Sequence, residues 1–347
     1  MLKFPFYARL AFTLFAIALI LLFMWFGRSL LVPLFFSFLV AILLHPVVRI
    51  LEKRRFPRAL ASVIPLLIFM VLVGGLFYFF SHQMVRLSRD LPSLQAKVVE
   101  KLNVIQDWIS DKYHFTNTQQ SAYMNKSATG ILNSAVNSAA TTFVGILETL
   151  VLTIFFFIFT FFILQYRHLL MRFAIELFHE VHNEKVHVII NRIRKLIYNY
   201  VLGLLIEMSI VAIIIFSSLM IIGVKYALLI SIMVAVLNII PYLGIYFCMG
   251  IAMLITAATG STGQVLAVGI VFLVTHFADA NVILPHVVGG KMKMNPFITI
   301  LAVLIGHLVW GIPGMFLFIP LTAIIRLISE EVPGMKPWAI LLGEEKQ

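Results

Sequence analysis

The chain has 347 residues, of which 61% are hydrophobic and 12% charged, with 26 Lys and Arg against 15 Asp and Glu for a net charge of +11. Soluble domains average about 45–50% apolar and about 25% charged residues, so this composition cannot be wrapped in a water-facing surface; it excludes a soluble globule, a disordered chain, a collagen and a disulfide scaffold. The apolar runs are continuous rather than alternating, which argues against an outer-membrane barrel and leaves an all-α, polytopic helical membrane protein.

Lys3 and Arg9 precede an apolar run from Leu10 to Phe26 that ends in Gly27-Arg28-Ser29 without a small-x-small cleavage site, so it reads as a retained first span, roughly Phe6–Phe26, rather than a signal peptide. A second span runs from about Leu30 to Leu51 and a third from Ala59 to Phe80, which makes residues 1–80 a three-span region. Residues 81–142 are more polar. There Leu87, Leu91, Leu94, Val98, Leu102, Ile105 and Ile109 recur at spacings of three and four, which predicts an amphipathic helix. A turn is expected within Thr116–Gly130, and a helix returning through Ala135, Val136, Ala139 and Ala140. Residues 143–166 form a fourth span, 167–199 an amphipathic stretch, 200–329 an apolar core opening with a fifth span over Tyr200–Gly223, and 330–347 a tail.

Charge sets the orientation. Arg49, Lys53, Arg54, Arg55 and Arg58 stand against the single Glu52 in the short loop after the second span, and such a cluster marks the cytoplasmic side. Both termini are then cytoplasmic. So is the stretch 167–199, with Arg167, Arg172, Lys185, Arg192, Arg194 and Lys195, while residues 81–142 lie outside.

The core contains two interrupted segments. Tyr226–Ile240 reaches about 22 Å as a helix, short of a hydrocarbon layer of roughly 30 Å. With the apolar sequence that continues beyond Pro241-Tyr242-Leu243-Gly244 to Ala258, it overshoots at about 48 Å. Phe297–Ser329 is interrupted in the same way by Gly311-Ile312-Pro313-Gly314. Backbone freed by Pro and Gly at membrane depth needs protein or a wet cavity to satisfy it, and two matched breaks point to a transporter-type site. Each segment is one kinked span or two half-spans; Lys291 and Lys293 lie inside only in the second case. About eight spans are expected, two of them broken or re-entrant near Pro241 and Pro313.

Ionisable groups at this depth are costly and functional by default. Glu207 lies two turns into the fifth span, and Asp279 deep within Val265–Leu284, with His276 one turn earlier on its face and Asn281 two residues later. Asn238 precedes the first break and His307 the second. Glu148 reads as an interfacial carboxylate. His179-Glu180-Val181-His182 is one residue short of the spacing that presents two zinc ligands, and with Glu176 and His187 it reads as a solvated helix face. Gly289-Gly290-Lys291 lacks the first Gly and the Ser or Thr of a phosphate loop. Cys248 is the single cysteine, so no intramolecular disulfide or thiolate metal site forms. No enzyme, cofactor, metal or nucleic-acid partner is expected. The expected partners are the lipid bilayer, a small polar solute or ion, and further copies of the chain in a homo-oligomer.

These residues carry a resemblance. Val236-Leu237-Asn238 and Ile240-Pro241-Tyr242-Leu243-Gly244 resemble the I-P-Y-x-G-P hallmark of the autoinducer-2 exporter family of PerM-like bacterial permeases. Asp279, Asn281, Pro285 and Gly289 are similar to its acidic-x-N-x-x-x-P and Gly pattern, and Asn295-Pro296 to the step that follows. Gly306, Gly311, Gly314 and Pro320-Leu321 are similar to its closing run, Tyr200 to Gly203 to its fifth span, and Pro33 with His45-Pro46 to its second. Ile245 stands for the second Pro of the hallmark, Asp279 for the usual Glu and Leu205 for a frequent Gln.

The resemblance implies an eight-span bacterial inner-membrane protein of a family whose members are linked to autoinducer-2 export and, in other cases, to sodium/proton antiport. The expected function is secondary transport that exports a small polar, autoinducer-2-like solute. The expected pathway is formed by Glu207, Asn238, Pro241, Gly244, His276, Asp279, Asn281, Pro285, His307, Gly311 and Gly314, between the broken segments and Val265–Leu284, with rocking halves giving alternating access. One alternative is sodium- or lithium/proton antiport on Asp279 and Glu207; another is a non-transporting membrane scaffold. Solute export leads because the sequence displays one deep carboxylate and no evident pair around it.

Overall fold

Long apolar runs with few breakers satisfy their backbone groups internally only as helices, and every such run in the described residues is helical. The structure, a computed structural model, describes residues 5–113, 150–177, 183–238, 243–289 and 294–344. The helices are α1 (Phe6–Phe26), α2 (Arg28–Lys53), α3 (Arg58–Tyr113), α4 (Leu150–Gln165), α5 (Arg167–Leu177) and α6 (Asn183–Ile222). There follow α7 (Ala227–Leu237), α8 (Leu243–Thr259), α9 (Thr262–Ala278), α10 (Pro296–Trp310), α11 (Ile312–Glu331) and α12 (Lys336–Leu342). Among the described residues five helices are long and apolar enough to cross a membrane, and a sixth span arises if α4 and α5, bent by 71°, are taken as one. Leu10–Phe26, Ala227–Leu237, Gly244–Thr259 and Pro296–Trp310 are shorter apolar helices. The chain is a polytopic helical membrane protein. The expected turn at Thr116–Gly130, the returning helix near Ala135, Glu148, the His179–His182 run, Pro241, Lys291 and Lys293 lie outside the described residues.

The chain divides into two compact units. The first comprises Met1–Phe69, Leu150–Leu202 and Gly289–Gln347. Its α2 buries Ser37, Ala41, Leu44 and Val48, a stripe at spacings of four, three and four. The stripe packs on α4 beside Phe156, Phe157, Phe161 and the buried Leu164. Small residues in such a stripe let helix backbones approach, which matters in lipid, where apolar side chains gain little by leaving the acyl chains. In contrast α1 is exposed along nearly its whole length, as suits a lipid-facing helix. Its end is held by Trp310, whose indole Nε1–H donates to the Met24 carbonyl at 2.8 Å.

The segment Phe297–Ser329 is a helical hairpin rather than one kinked span. Only Gly311 stands between α10 and α11, at φ +65°, a conformation that favours glycine. The two backbones then touch: a Cβ on Gly306 would sit 2.3 Å from the Gly314 carbonyl oxygen, and one on Gly314 1.9 Å from that of Gly306. Pro313 falls in the first turn of α11, where its missing N–H costs nothing.

The second unit comprises Met70–Thr149 and Gly203–Val288. Its core gathers Phe80, Leu87 and Leu94 of α3, Val211, Ile215 and Leu219 of α6, and Met233 and Val234 of α7. Ile251, Ala252 and Ile255 of α8 and Val268 and Phe272 of α9 complete it. The polar interval after the third span continues α3 without a break to Tyr113. Asp90 on α3 takes hydrogen bonds from Lys225 Nζ, at 2.6 Å, and from the Tyr226 hydroxyl. The hydrogen bond to Asp90 holds the Lys225 ammonium above its ordinary pKa.

Candidate functional site

Three buried stripes of the second unit end in polar side chains. On α6 the stripe Leu219, Ile215, Val211 continues, at the next spacing of four, to Glu207, which is 2% exposed. On α9 the stripe Val268, Phe272, Thr275 continues to Asp279, 5% exposed. On α7 the stripe Ser231, Val234 leads to the half-buried Asn238 at the helix end. Helical periodicity turns each of these groups inward with the apolar residues of its own face. They meet: Asn238 Nδ2 donates to Glu207 Oε1 at 2.5 Å and to Asp279 Oδ2 at 3.1 Å. One amide thus spends its two N–H donors on two carboxylates that can only accept when ionised. The other Asp279 oxygen, Oδ1, is buried and accepts no hydrogen bond among the described residues.

The backbone is shaped to this arrangement. At Asp279 the α9 helix widens into π turns over Asp279–Ile283 and Pro285–Gly289, with the Leu284 N–H bonded to the Asp279 carbonyl five residues back. Pro285 carries no N–H and its ring crowds the preceding turn, which accounts for the widening; single π turns often occur at functional sites. Gly244, at the start of α8, lies against the end of α7. A Cβ there would sit 2.1 Å from the Leu237 carbonyl oxygen and 2.7 Å from the Asn238 nitrogen, so glycine at 244 allows α8 to pack where Asn238 emerges.

The other sequence-selected residues divide. His276 packs edge-on against the Tyr246 ring, centroids 5.0 Å apart, and Asp279, one turn further on, takes a hydrogen bond from Asn238. Asn281 is exposed and donates to the Phe277 carbonyl on its own helix at 2.9 Å. Pro285 is exposed and acts through the backbone. Gly311 and Gly314 build the hairpin of the first unit, on which His307 is exposed. The convergence of Glu207, Asn238 and Asp279 is absent from the local sequence pattern, because the partners stand 31 and 41 residues apart. The available signal is that each polar group extends an apolar stripe by one further helical step.

Chemically, the cluster is a buried all-oxygen acceptor with one amide clamp. Two adjacent carboxylates repel, and a positive charge placed between them relieves that repulsion. Oxygen donors without imidazole or thiolate suit a proton or a hard cation, and no group of three or more metal-ligating side chains occurs among the described residues.

Comparison with known proteins agrees with this membrane architecture. The family model described as AI-2E family transporter matches residues 14–334. YhhT of Escherichia coli (strain K12), whose name assigns it to transport, is 24% identical over 91% of this chain and 89% of its own length. The AI-2 transport protein TqsA of the same organism is 22% identical over 92% of this chain and 91% of its own. A sodium-lithium/proton antiporter of Halobacillus andaensis is 24% identical over 88% of this chain and 90% of its own.

Proposed function

The chain belongs to the AI-2E transporter family, and on that premise we propose that it is a secondary transporter of the bacterial inner membrane that exchanges a proton against a small monovalent cation at Glu207, Asn238 and Asp279. The observation that carries this reading is the carboxylate pair itself, buried and bridged by one amide, with an Asp279 oxygen left open. The sequence favours solute export over antiport because Asp279 stands alone in the linear pattern; in the folded chain Glu207 faces the same amide.

Burying two carboxylates costs several kcal/mol unless charge compensates them. A proton or a sodium or lithium ion supplies that compensation, and either one excludes the other. Mutual exclusion at one site is the elementary requirement of antiport, since the site must be reloaded before it turns over. Asn238 orients both carboxylates through its two N–H groups, and the Gly244 contact fixes where that amide emerges. In proteoliposomes carrying a pH-sensitive dye, an imposed sodium or lithium gradient should drive proton movement through the wild-type protein. Proton flux indifferent to both cations would overturn the reading.

A second reading is export of a small hydroxylated solute, in line with the name of the AI-2 transport protein among the relatives. Here a solute hydroxyl donates to the open Asp279 oxygen. Asp279→Asn would then leave measurable solute efflux with a flattened pH dependence, because an amide oxygen still accepts a hydrogen bond. Loss of cation-driven proton flux in that variant, with no solute efflux in the wild type, favours antiport.

For orientation we propose that both termini are cytoplasmic and that residues 81–142 lie outside, from the cation cluster Arg49–Arg58. With Cys248 replaced by Ser, single cysteines at Ser110 and Ser127 should label from outside in intact cells. Labelling only after lysis reverses the assignment.

A further inference from the structure

A cavity of about 550 Å³ opens in the first unit where the last turns of α2 face the first part of α6. Four cations line it: Arg49 and Lys53 from α2, Arg194 and Lys195 from α6. His45, Asn191 and Tyr198 add polar side chains, while Ile42, Pro46 and Ile50 form an apolar wall. No acid lines it. The carboxylates of Glu52, Glu331 and Glu330 are already engaged. Glu52 takes Arg167 Nη2 on both oxygens, at 2.6 and 2.5 Å. Glu331 is paired with Arg192 and Glu330 with Arg326. Among the described residues no salt bridge reaches Arg49, Lys53, Arg194 or Lys195.

Four like charges round one cavity repel each other, and the arrangement is relieved by an anion. Depth says which kind. The 26 residues of α2 make a rod of about 39 Å through a hydrocarbon layer of roughly 30 Å. The turns carrying Arg49 and Lys53 therefore stand at the level of lipid headgroups. Ile50 is 55% exposed beside them, so the cavity combines charged and apolar surface in one lining. A free metabolite matches only the charge; a phospholipid matches both.

We propose that this cavity binds the phosphate of an anionic phospholipid, with Arg49, Lys53, Arg194 and Lys195 as its ligands and the Ile42–Ile50 wall against the start of the acyl chains. Basic pockets between membrane helices on the cytoplasmic side take such headgroups, and the volume is that of a small-molecule site. The site is independent of the carboxylate cluster and of what is transported.

The test uses the full-length protein purified in mild detergent, with lipid binding followed by native mass spectrometry and by the shift in melting temperature. Phosphatidylglycerol should bind and raise the melting temperature, and phosphatidylcholine should do so far less. Arg49→Gln with Arg194→Gln should weaken phosphatidylglycerol binding by about thirtyfold. Lys53→Gln with Lys195→Gln should act likewise and serves where the first variant folds poorly. Arg54→Gln with Arg58→Gln removes the same charge from the adjoining loop but from residues that do not line the cavity, and should change binding by less than about threefold. Equal losses in the lining and loop variants would reduce the effect to general surface charge and overturn the site. Equal binding of phosphatidylcholine would do the same. Glycerol 3-phosphate competing at the lipid's own concentration would assign the cavity to a soluble phosphate ester and overturn the lipid.

Discussion

The two units bury different kinds of polar group. In the first, the buried polar residues among those described are hydroxyls: Ser37, Ser62, Thr160 and Ser329. Each lies within hydrogen-bond distance of the carbonyl four residues back on its own helix, at 2.6 to 3.1 Å. A hydroxyl can satisfy itself in this way, so it crosses the interior at little cost. In the second unit Glu207 and Asp279 are buried as well. An ionised carboxylate has no proton to give and cannot close on its own helix carbonyls; it must find a donor elsewhere or hold a positive charge. A hydroxyl-lined interior therefore reads as packing, whereas a carboxylate-lined interior reads as work with charge.

Substitution can break this contrast, and the carboxylates should show the largest effect. Asp279→Asn or Glu207→Gln is expected to lower cation-dependent proton flux about a hundredfold or more while leaving insertion and melting temperature near wild type, because exchange needs the titratable group itself. Flux above a tenth of wild type in both variants would sink the coupling role. Gly244→Ala comes next: its new Cβ collides with the Leu237 carbonyl beside Asn238, and flux per folded molecule should fall about tenfold through misplacement of the amide.

Gly306→Ala meets an equally close backbone oxygen, that of Gly314, but in the unit whose described residues include no buried carboxylate. It should cost about 1–3 kcal/mol of stability, read as an earlier thermal transition in detergent, with flux per folded molecule unchanged. If it impairs flux as much as Gly244→Ala does, the two units do not differ in the way argued. The smallest effect belongs to Thr160→Val, which removes a hydroxyl bonded to Phe156. Stability should move by no more than about 1 kcal/mol, and flux not at all.

The helices and the stripe Leu87, Leu94, Val98 of α3 are legible because both follow from local rules: apolar length and a spacing of three or four. Glu207 is legible as an ionisable group two turns into the fifth span, yet its partner is not. Spacing within one helix suggested His276 for Asp279, and nothing local joins Asp279 to Asn238 across 41 residues. In the sequence Gly311 and Pro313 together mark the closing break. In the fold Gly311 alone turns the chain and Pro313 starts the next helix, since proline disrupts a helix interior but suits its first turn. The cavity of the first unit is not legible locally, because Arg49 and Lys53 read along the chain as topology signals and face Arg194 and Lys195 only after folding.

The bond that ends α1 also sets a schedule. Trp310 donates to the Met24 carbonyl from 286 residues further along the chain. At a synthesis rate of about 5–20 residues per second, that partner emerges roughly 15 to 60 s after its acceptor. For that interval α1 stands in the bilayer without its clamp. A helix with a polar stripe would pair with whatever came first; α1 runs FYARLAFTLFAIALILLFMWF and offers lipid a nearly uniform surface. Its composition lets it wait.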